Sequence, residues 1–92
     1  ASKAAVLGFS KNLAREISEY GITTNCVCPG FINTEISKTL TQEQIDNIVV
    51  DIPMGRPGRT EEVADSIVFL ASKEASYITG EEIDINGGQH MD

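Results

Sequence analysis

A strand-like run in the first third of this chain stops abruptly at a Pro-Gly pair. Residues 22–28 are rich in Ile, Thr and Val, and Pro29 and Gly30 follow directly. β-Branched residues favour strands, whereas Pro-Gly marks a turn. In open α/β sheets, ligands bind beyond the carboxyl ends of the strands. The sequence therefore predicts a buried strand over 22–28 that ends in a ligand-facing loop.

A first amphipathic helix is predicted over residues 1–20. Its apolar residues recur three and four positions apart, which puts them on one helix face. Gly21 is then expected to provide a left-handed C-terminal cap. The predicted face consists of Val6, Phe9, Leu13, Ile17 and Tyr20.

Two further helices and a second strand follow the loop. Thr41 and Gln44 have the spacing of a capping box for a short helix that ends before Ile52-Pro53. Thr60 is predicted to cap a second long helix, whose apolar face runs from Val63 to Ala71. Residues 82–85 form a predicted strand, closed by residues 86–88.

The order helix, strand, loop with short helix, helix, strand indicates a βαβ crossover with parallel strands. Parallel sheets are covered on both faces, and two strands with two long helices are too few to close such a core. We therefore expect residues 1–92 to be the C-terminal fragment of one doubly wound, Rossmann-type α/β domain, without its N-terminal dinucleotide-binding half.

The charge and the cysteines restrict the class of protein. A net charge of −7 argues against nucleic acid and anionic membrane surfaces as partners. No apolar run approaches the roughly 20 residues of a membrane span. Cys26 and Cys28 are interpreted as two small buried residues, because a bridge between positions i and i+2 of a strand is strained. No metal site is predicted, and reduced thiols indicate the cytoplasm.

Three segments resemble the short-chain dehydrogenase/reductase family. Residues 1–6 are similar to the end of its Tyr-x-x-x-Lys helix, residues 25–34 to its Asn-x-x-x-Pro-Gly segment, and residues 78–88 to its closing strand. Within the family, residues 52–64 resemble the bacterial 3-oxoacyl-carrier-protein reductases. Sugar and polyol dehydrogenases share much of that stretch.

The resemblance implies hydride transfer between a nicotinamide and a carbonyl, with a Tyr as general acid/base. Lys3 matches the family lysine that assists this Tyr and binds the nicotinamide ribose. Residues i and i+4 share a helix face, and a nearby ammonium favours the phenolate. The matching Tyr falls two positions before Ala1, and the family serine lies further upstream; Ser2 does not match it.

By the same resemblance, Pro29, Gly30, Ile32 and Thr34 bind the cofactor. Gly30 removes a side chain and Pro29 stiffens the turn, so that backbone passes close to a flat ring. The Ile32 backbone is expected to meet the carboxamide, and the Thr34 hydroxyl to bind the cofactor. The implied cofactor is NADP, with NAD as the alternative.

The resemblance implies a cytoplasmic, homotetrameric enzyme that reduces a 3-oxoacyl thioester in fatty acid synthesis, with an acyl carrier protein as a further partner. Two alternatives stay open. One is a family member acting on a sugar, polyol or secondary alcohol. The other is an inactive fragment or a piece that completes a partner chain. We expect the 92 residues alone to be inactive.

Overall fold

The structure, a computed structural model, describes residues 2–91. The predicted start of the first helix at Ala1 lies outside the described residues. The helices are α1 (Lys3–Ile17), α2 (Gln42–Val49) and α3 (Thr60–Leu70), and the strands are β1 (Cys26–Pro29) and β2 (Glu82–Ile85). Short 3-10 turns cover Ser18–Tyr20, Ile36–Thr39 and Lys73–Ala75.

The chain divides into two compact units. The first holds the residues up to Val27 together with Ser66–Ile83, and the second holds Cys28–Asp65 together with the residues from Asp84 onward. The division falls within both strands, so that each unit contains one end of each strand.

The two strands form a parallel sheet, as predicted. The Cys26 N–H donates to the Glu81 carbonyl at 2.8 Å, and the Gly30 N–H donates to the Ile85 carbonyl at 2.9 Å. Both bonds span the same sequence offset, which is the pattern of parallel pairing. The mixed helix and parallel-strand architecture confirms the predicted α/β class.

β1 begins later than the predicted strand over 22–28. The residues before it are held by one backbone hydrogen bond, from the Gly80 N–H to the Thr24 carbonyl at 2.7 Å, and by side chains. The Thr24 N–H donates to Thr79 Oγ1 at 3.0 Å, and Asn25 bridges two backbone groups, the Ile78 carbonyl and the Glu81 N–H, both at 3.0 Å. The strand prediction was therefore wrong for residues 22–25, where side-chain hydrogen bonds and a single backbone bond stand in place of a regular ladder.

α1 begins and ends at identifiable caps. Ser2 is its N-cap, and the Ser2 hydroxyl accepts the Ala5 N–H at 3.3 Å. A 3-10 turn extends the helix to Tyr20, and Gly21 follows at φ 74°, which confirms the left-handed cap.

The residues of α1 differ widely in burial. Ser10 and Ala14 are the buried residues of this helix, whereas Phe9 and Tyr20 are 71% and 72% exposed. The small side chains allow a close approach: a Cβ built on Gly80 would lie 3.8 Å from the Ala14 Cβ. The small Ala14 therefore makes the close contact of this helix, while Leu13 and Ile17 of the predicted face are half-buried.

The helix starts are partly as predicted. Thr41 and Gln44 form the expected capping box at α2. α3, however, already includes Thr60, so the prediction of Thr60 as its cap was wrong. The Glu62 carboxylate instead accepts the Arg59 N–H at 2.9 Å, which satisfies a backbone donor just before the helix.

The buried apolar core within residues 2–91 is limited to Ala14, Ile52 and Ala75. The face predicted for α3 is uncovered here, with Ile67 and Val68 at least half exposed. Within the described part of the chain, no helix combines the length and the apolar character that crossing a bilayer requires.

Candidate cofactor-binding loop

The end of β1 and the loop that follows it carry four of the five predicted site residues. Pro29 is the exposed last residue of β1. At Gly30, a Cβ would lie 2.6 Å from the Asn86 Cβ and 3.0 Å from the Asn86 Cα. No side chain fits at this distance, so the close approach of the segment after β2 gives Gly30 a packing role.

Ile32 forms an isolated parallel bridge with Gly58. The Asn33 N–H donates to the Gly58 carbonyl at 2.8 Å, and the Gly58 N–H donates to the Phe31 carbonyl at 2.9 Å. These bonds use the groups that flank Ile32. The N–H and C=O of Ile32 itself take no part in the hydrogen bonds among residues 2–91, and both are therefore available to a ligand.

Ser37 fixes the turn that holds Asn33 and Thr34. It is 6% exposed, and its Oγ lies 2.8 Å from Asn33 Oδ1 and 2.6 Å from the Thr34 carbonyl oxygen. Because a hydroxyl has one hydrogen, it donates to one of these acceptors at a time. The same Oγ accepts the Thr34 N–H at 3.1 Å. The Thr34 hydroxyl is on an exposed residue and has no hydrogen-bond partner within residues 2–91.

Ser37 was not among the sequence-predicted site residues. Its signal in the sequence is the pair of short polar residues Asn33 and Ser37, four positions apart in a loop. Such side chains readily hydrogen-bond to nearby backbone groups. The pattern alone does not distinguish a buried, structure-fixing serine from an exposed one.

The segment after β2 is held in place by its own turn and by residues 52–54. Asn86 Oδ1 accepts the Gly88 N–H at 3.0 Å, and the Met54 N–H donates to the Gly87 carbonyl at 3.1 Å. Gly87 has φ 62°, and a Cβ there would lie 2.9 Å from Ile52 Cγ2. Positive φ and the lack of space both require glycine at this position.

An ion pair lies at the start of α3. Arg56 Nη1 and Nη2 lie 2.8 and 2.9 Å from the two carboxylate oxygens of Glu62. The hydrogen bond from Arg56, with that from the Arg59 N–H, lowers the pKa of Glu62 from 4.5 to about 2. The same contact with Glu62 raises the pKa of Arg56.

This pair borders a hollow of about 320 Å³, which Met54, Gly58 and residues 84–88 also line. Pro29, Gly30, Ile32 and Thr34 are not among its lining residues. Because Arg56 already pairs with Glu62, the hollow offers little uncompensated positive charge. Since none of the four predicted nicotinamide-binding residues lines it, the hollow is not the predicted nicotinamide site.

Lys3 belongs to the other compact unit, at the first position of α1. Its Nζ lies 3.3 Å from Glu82 Oε2, with the lysine side chain 57% exposed and the glutamate side chain 21% exposed. A cation at a helix N-terminus is unfavourable, because the helix dipole is positive there. The Glu82 carboxylate compensates for this placement.

Two parallel strands joined by a helical crossover, with ligand-available backbone after the first strand, define an α/β protein of the Rossmann type. The chain belongs to the short-chain dehydrogenase/reductase family. Residues 1–90 match the family model described as enoyl-(acyl carrier protein) reductase.

Individual relatives are similar along almost the whole chain. It is 50% identical over 91 residues to the 3-oxoacyl-[acyl-carrier-protein] reductase of Salmonella typhimurium, and equally identical to that of Escherichia coli. Identity to the Vibrio cholerae protein of the same name is 48%. Each alignment covers 99% of this chain, but the chain spans only 37% of the length of these relatives.

Proposed function

We propose that this chain forms the C-terminal part of a nicotinamide-dependent reductase that acts on 3-oxoacyl thioesters in fatty acid synthesis. The observation that carries the proposal is the 50% identity, over 99% of the chain, to proteins named 3-oxoacyl-[acyl-carrier-protein] reductase. The matching family model, however, is named for an enoyl reductase. Reduction of a carbon–carbon double bond is therefore the main alternative to reduction of the 3-oxo carbonyl.

The loop after β1 is proposed to bind the nicotinamide end of the cofactor. A carboxamide presents one acceptor oxygen and an NH2 donor. The unpaired N–H and C=O of Ile32 complement these two groups, and the unpaired Thr34 hydroxyl adds a further donor. Pro29 and Gly30 shape the backbone that leads into this contact. We propose NADP as the cofactor, with NAD as the alternative.

Lys3 is proposed to be the catalytic lysine. Its ammonium would stabilise the ionised form of a tyrosine one helical turn earlier in the whole protein, and would bind the cofactor ribose. The Lys3 ammonium lies beside Glu82 in this structure, and in the whole protein it would interact with Glu82, the tyrosine and the ribose together. The cofactor, when bound, supplies the hydride that reduces the C3 carbonyl carbon, and the tyrosine donates the proton to its oxygen.

The segment from Pro29 to Ile52 is proposed to close over the substrate. The 92 residues alone are expected to be inactive. We further propose a cytoplasmic homotetramer, with an acyl carrier protein delivering the substrate. Exposed apolar residues on two helices, including Phe9 and Val68, would supply subunit contacts.

A chimeric enzyme tests the reaction directly. The C-terminal segment of the Escherichia coli relative is replaced by this chain, which aligns with it over 91 residues. We expect the chimera to oxidise NADPH with acetoacetyl thioester, and to turn over crotonyl thioester at least about 100-fold more slowly. Faster turnover of crotonyl thioester would favour the enoyl reductase, and a preference for polyols with an oxidised cofactor would remove the fatty acid assignment.

Substitutions in that chimera test the site residues. Lys3→Met is expected to lower kcat about 100-fold or more, the lower range of an acid/base contribution. Lys73→Met, which changes another exposed lysine of the same unit, serves as its control. An active K3M chimera would contradict the role of Lys3 and leave the reaction assignment intact.

Thr34→Val separates cofactor binding from catalysis. Loss of one hydrogen bond is worth about 0.5–1.5 kcal/mol, so the KM for the cofactor should rise up to about tenfold, while kcat changes by less than about twofold. Thr60→Val is the matched control on α3. An unchanged cofactor KM in T34V would contradict the proposed contact.

A further inference from the structure

Two cations on α1 stand out by their lack of acidic partners. The chain has seven Lys and Arg and 14 Asp and Glu. Among residues 2–91, the ion pairs engage Lys3, Lys38, Arg56 and Arg59. Lys11 and Arg15 form no ion pair in this part of the chain, although acidic residues are twice as numerous as basic ones.

Both cations border one hollow of about 280 Å³ in the first compact unit. The buried Ala14 and the backbone of Gly80 also line it, together with the hydroxyl-bearing residues Ser18 and Thr79. Thr79 Oγ1 accepts the Thr24 N–H at 3.0 Å, which leaves the hydroxyl hydrogen of Thr79 to be donated. The hollow therefore combines two full positive charges with a hydroxyl donor.

The helix alone does not explain this arrangement. Arg15 lies in the last turn of α1, where a cation is favourable. Lys11 lies one turn earlier, and like charges at positions i and i+4 repel each other. Arg15 Nη1 reaches Asn12 Oδ1 at 3.5 Å, which occupies one of its five donors. Glu19, one turn beyond Arg15, forms no ion pair with it within 4.0 Å.

We propose that this hollow, the Lys11–Arg15 site, binds a phosphate group. A tetrahedral dianion placed between Lys11 and Arg15 would relieve their repulsion and accept charge-assisted hydrogen bonds from both. The Thr79 hydroxyl would supply a third donor. The volume lies just below the roughly 300–1,000 Å³ of sites for whole organic ligands, which fits a single phosphate with its waters. The site is independent of the proposed reductase activity, because it uses none of the proposed catalytic or cofactor-binding residues.

Titration of the 92-residue chain with inorganic phosphate, followed by amide NMR at constant ionic strength, tests the site. We expect saturable shifts centred on the amides of Ser18, Thr79 and Gly80. A parallel titration with glycerol 1-phosphate distinguishes free phosphate from a phosphate monoester, because the source with the lower Kd is the better ligand. Non-saturating or absent shifts with both probes would reject the proposal.

Three charge-equivalent variants make the test specific. Lys11→Gln and Arg15→Gln are each expected to raise the Kd at least about tenfold, since each removes a charge-assisted contact. Lys73→Gln removes the same charge from the remaining cation that forms no ion pair within residues 2–91 and does not line the hollow, and its Kd should change by less than about twofold. An equal loss of affinity in K73Q would show general charge attraction and overturn the site.

Discussion

The guanidinium of Arg56 meets the carboxylate of Glu62 through two parallel hydrogen bonds of 2.8 and 2.9 Å. This fork-to-fork geometry fixes both side chains. Because Glu62 also accepts the Arg59 N–H at 2.9 Å, one carboxylate connects the loop before α3 to the first turn of the helix.

The first prediction concerns the stability of the chain in acid. The pKa of Glu62 is lowered from 4.5 to about 2 in the folded chain, so the folded state favours the ionised carboxylate. This stabilisation is fully present above pH 4.5 and is lost as the pH falls through about 2. We expect the Tm of the wild type to exceed that of Glu62→Gln above pH 5, and the difference to disappear near pH 2.

Glu61→Gln is the control for this measurement. Glu61 is an exposed neighbour that forms no ion pair within residues 2–91. Its substitution should leave the pH dependence of the Tm close to that of the wild type. If E61Q and E62Q gave the same pH profile, the Arg56–Glu62 pair would not contribute as described.

The second prediction tests the start of α2. Thr41→Ala removes the side-chain oxygen that accepts the Gln44 N–H at 3.2 Å. Loss of an N-cap costs about 1 kcal/mol of unfolding free energy, measurable by urea unfolding in a sucrose-containing buffer. Thr60→Ala, at the first helical position of α3, should cost less than about 0.5 kcal/mol. A larger loss of unfolding free energy in T60A than in T41A would instead show that Thr60 caps α3.

The third prediction compares two glycines. Gly30→Ala places a Cβ 2.6 Å from the Asn86 Cβ, and such overpacking costs about 1–3 kcal/mol of unfolding free energy. Gly8→Ala lies in α1, where nothing is within 4 Å of the added Cβ. It should stabilise the chain by about 0.5–1 kcal/mol. Urea unfolding measures both, and a neutral G30A would contradict the close approach to Asn86.

The fourth prediction concerns the turn behind the proposed cofactor contact. Ser37→Ala leaves the Thr34 N–H and one acceptor without the buried hydroxyl, which should cost about 1–3 kcal/mol of unfolding free energy. Ser76→Ala, at an exposed serine, should change it by less than about 0.5 kcal/mol. In the chimeric enzyme, S37A should also raise the cofactor KM. If S37A were as stable as the wild type, Ser37 would not be the residue that fixes this turn.

Several features of the fold could be predicted from the sequence, because they depend on neighbours within one helical turn. The capping box of Thr41 and Gln44 and the left-handed cap at Gly21 need residues three or four positions apart. The parallel pairing of β1 and β2 followed from the helical crossover between them. The short-chain dehydrogenase/reductase family was also predicted from the residues, and the comparisons confirm it.

The candidate site also has features that the sequence predicts and features that it does not. The positions of Pro29 at the end of β1 and of Gly30, Ile32 and Thr34 in the following loop were predictable, since the Pro-Gly pair marks the end of the strand. The role of Ser37 was not, because burial of its hydroxyl depends on how the chain turns back. The roles of Lys3 and of the loop in cofactor binding stay predictions.

The sequence by itself determined the order of elements, the caps at Thr41 and Gly21 and the turn after β1, because each depends on interactions between residues close along the chain. Tertiary structure decided which face of α1 is buried, where β1 begins and why Gly30 has no room for a side chain. In each of these cases the deciding partner lies more than 50 positions away: Gly80 for Ala14, Thr79 for Thr24 and Asn86 for Gly30. Local periodicity carries no information about such distant contacts, and only the packed chain brings them together.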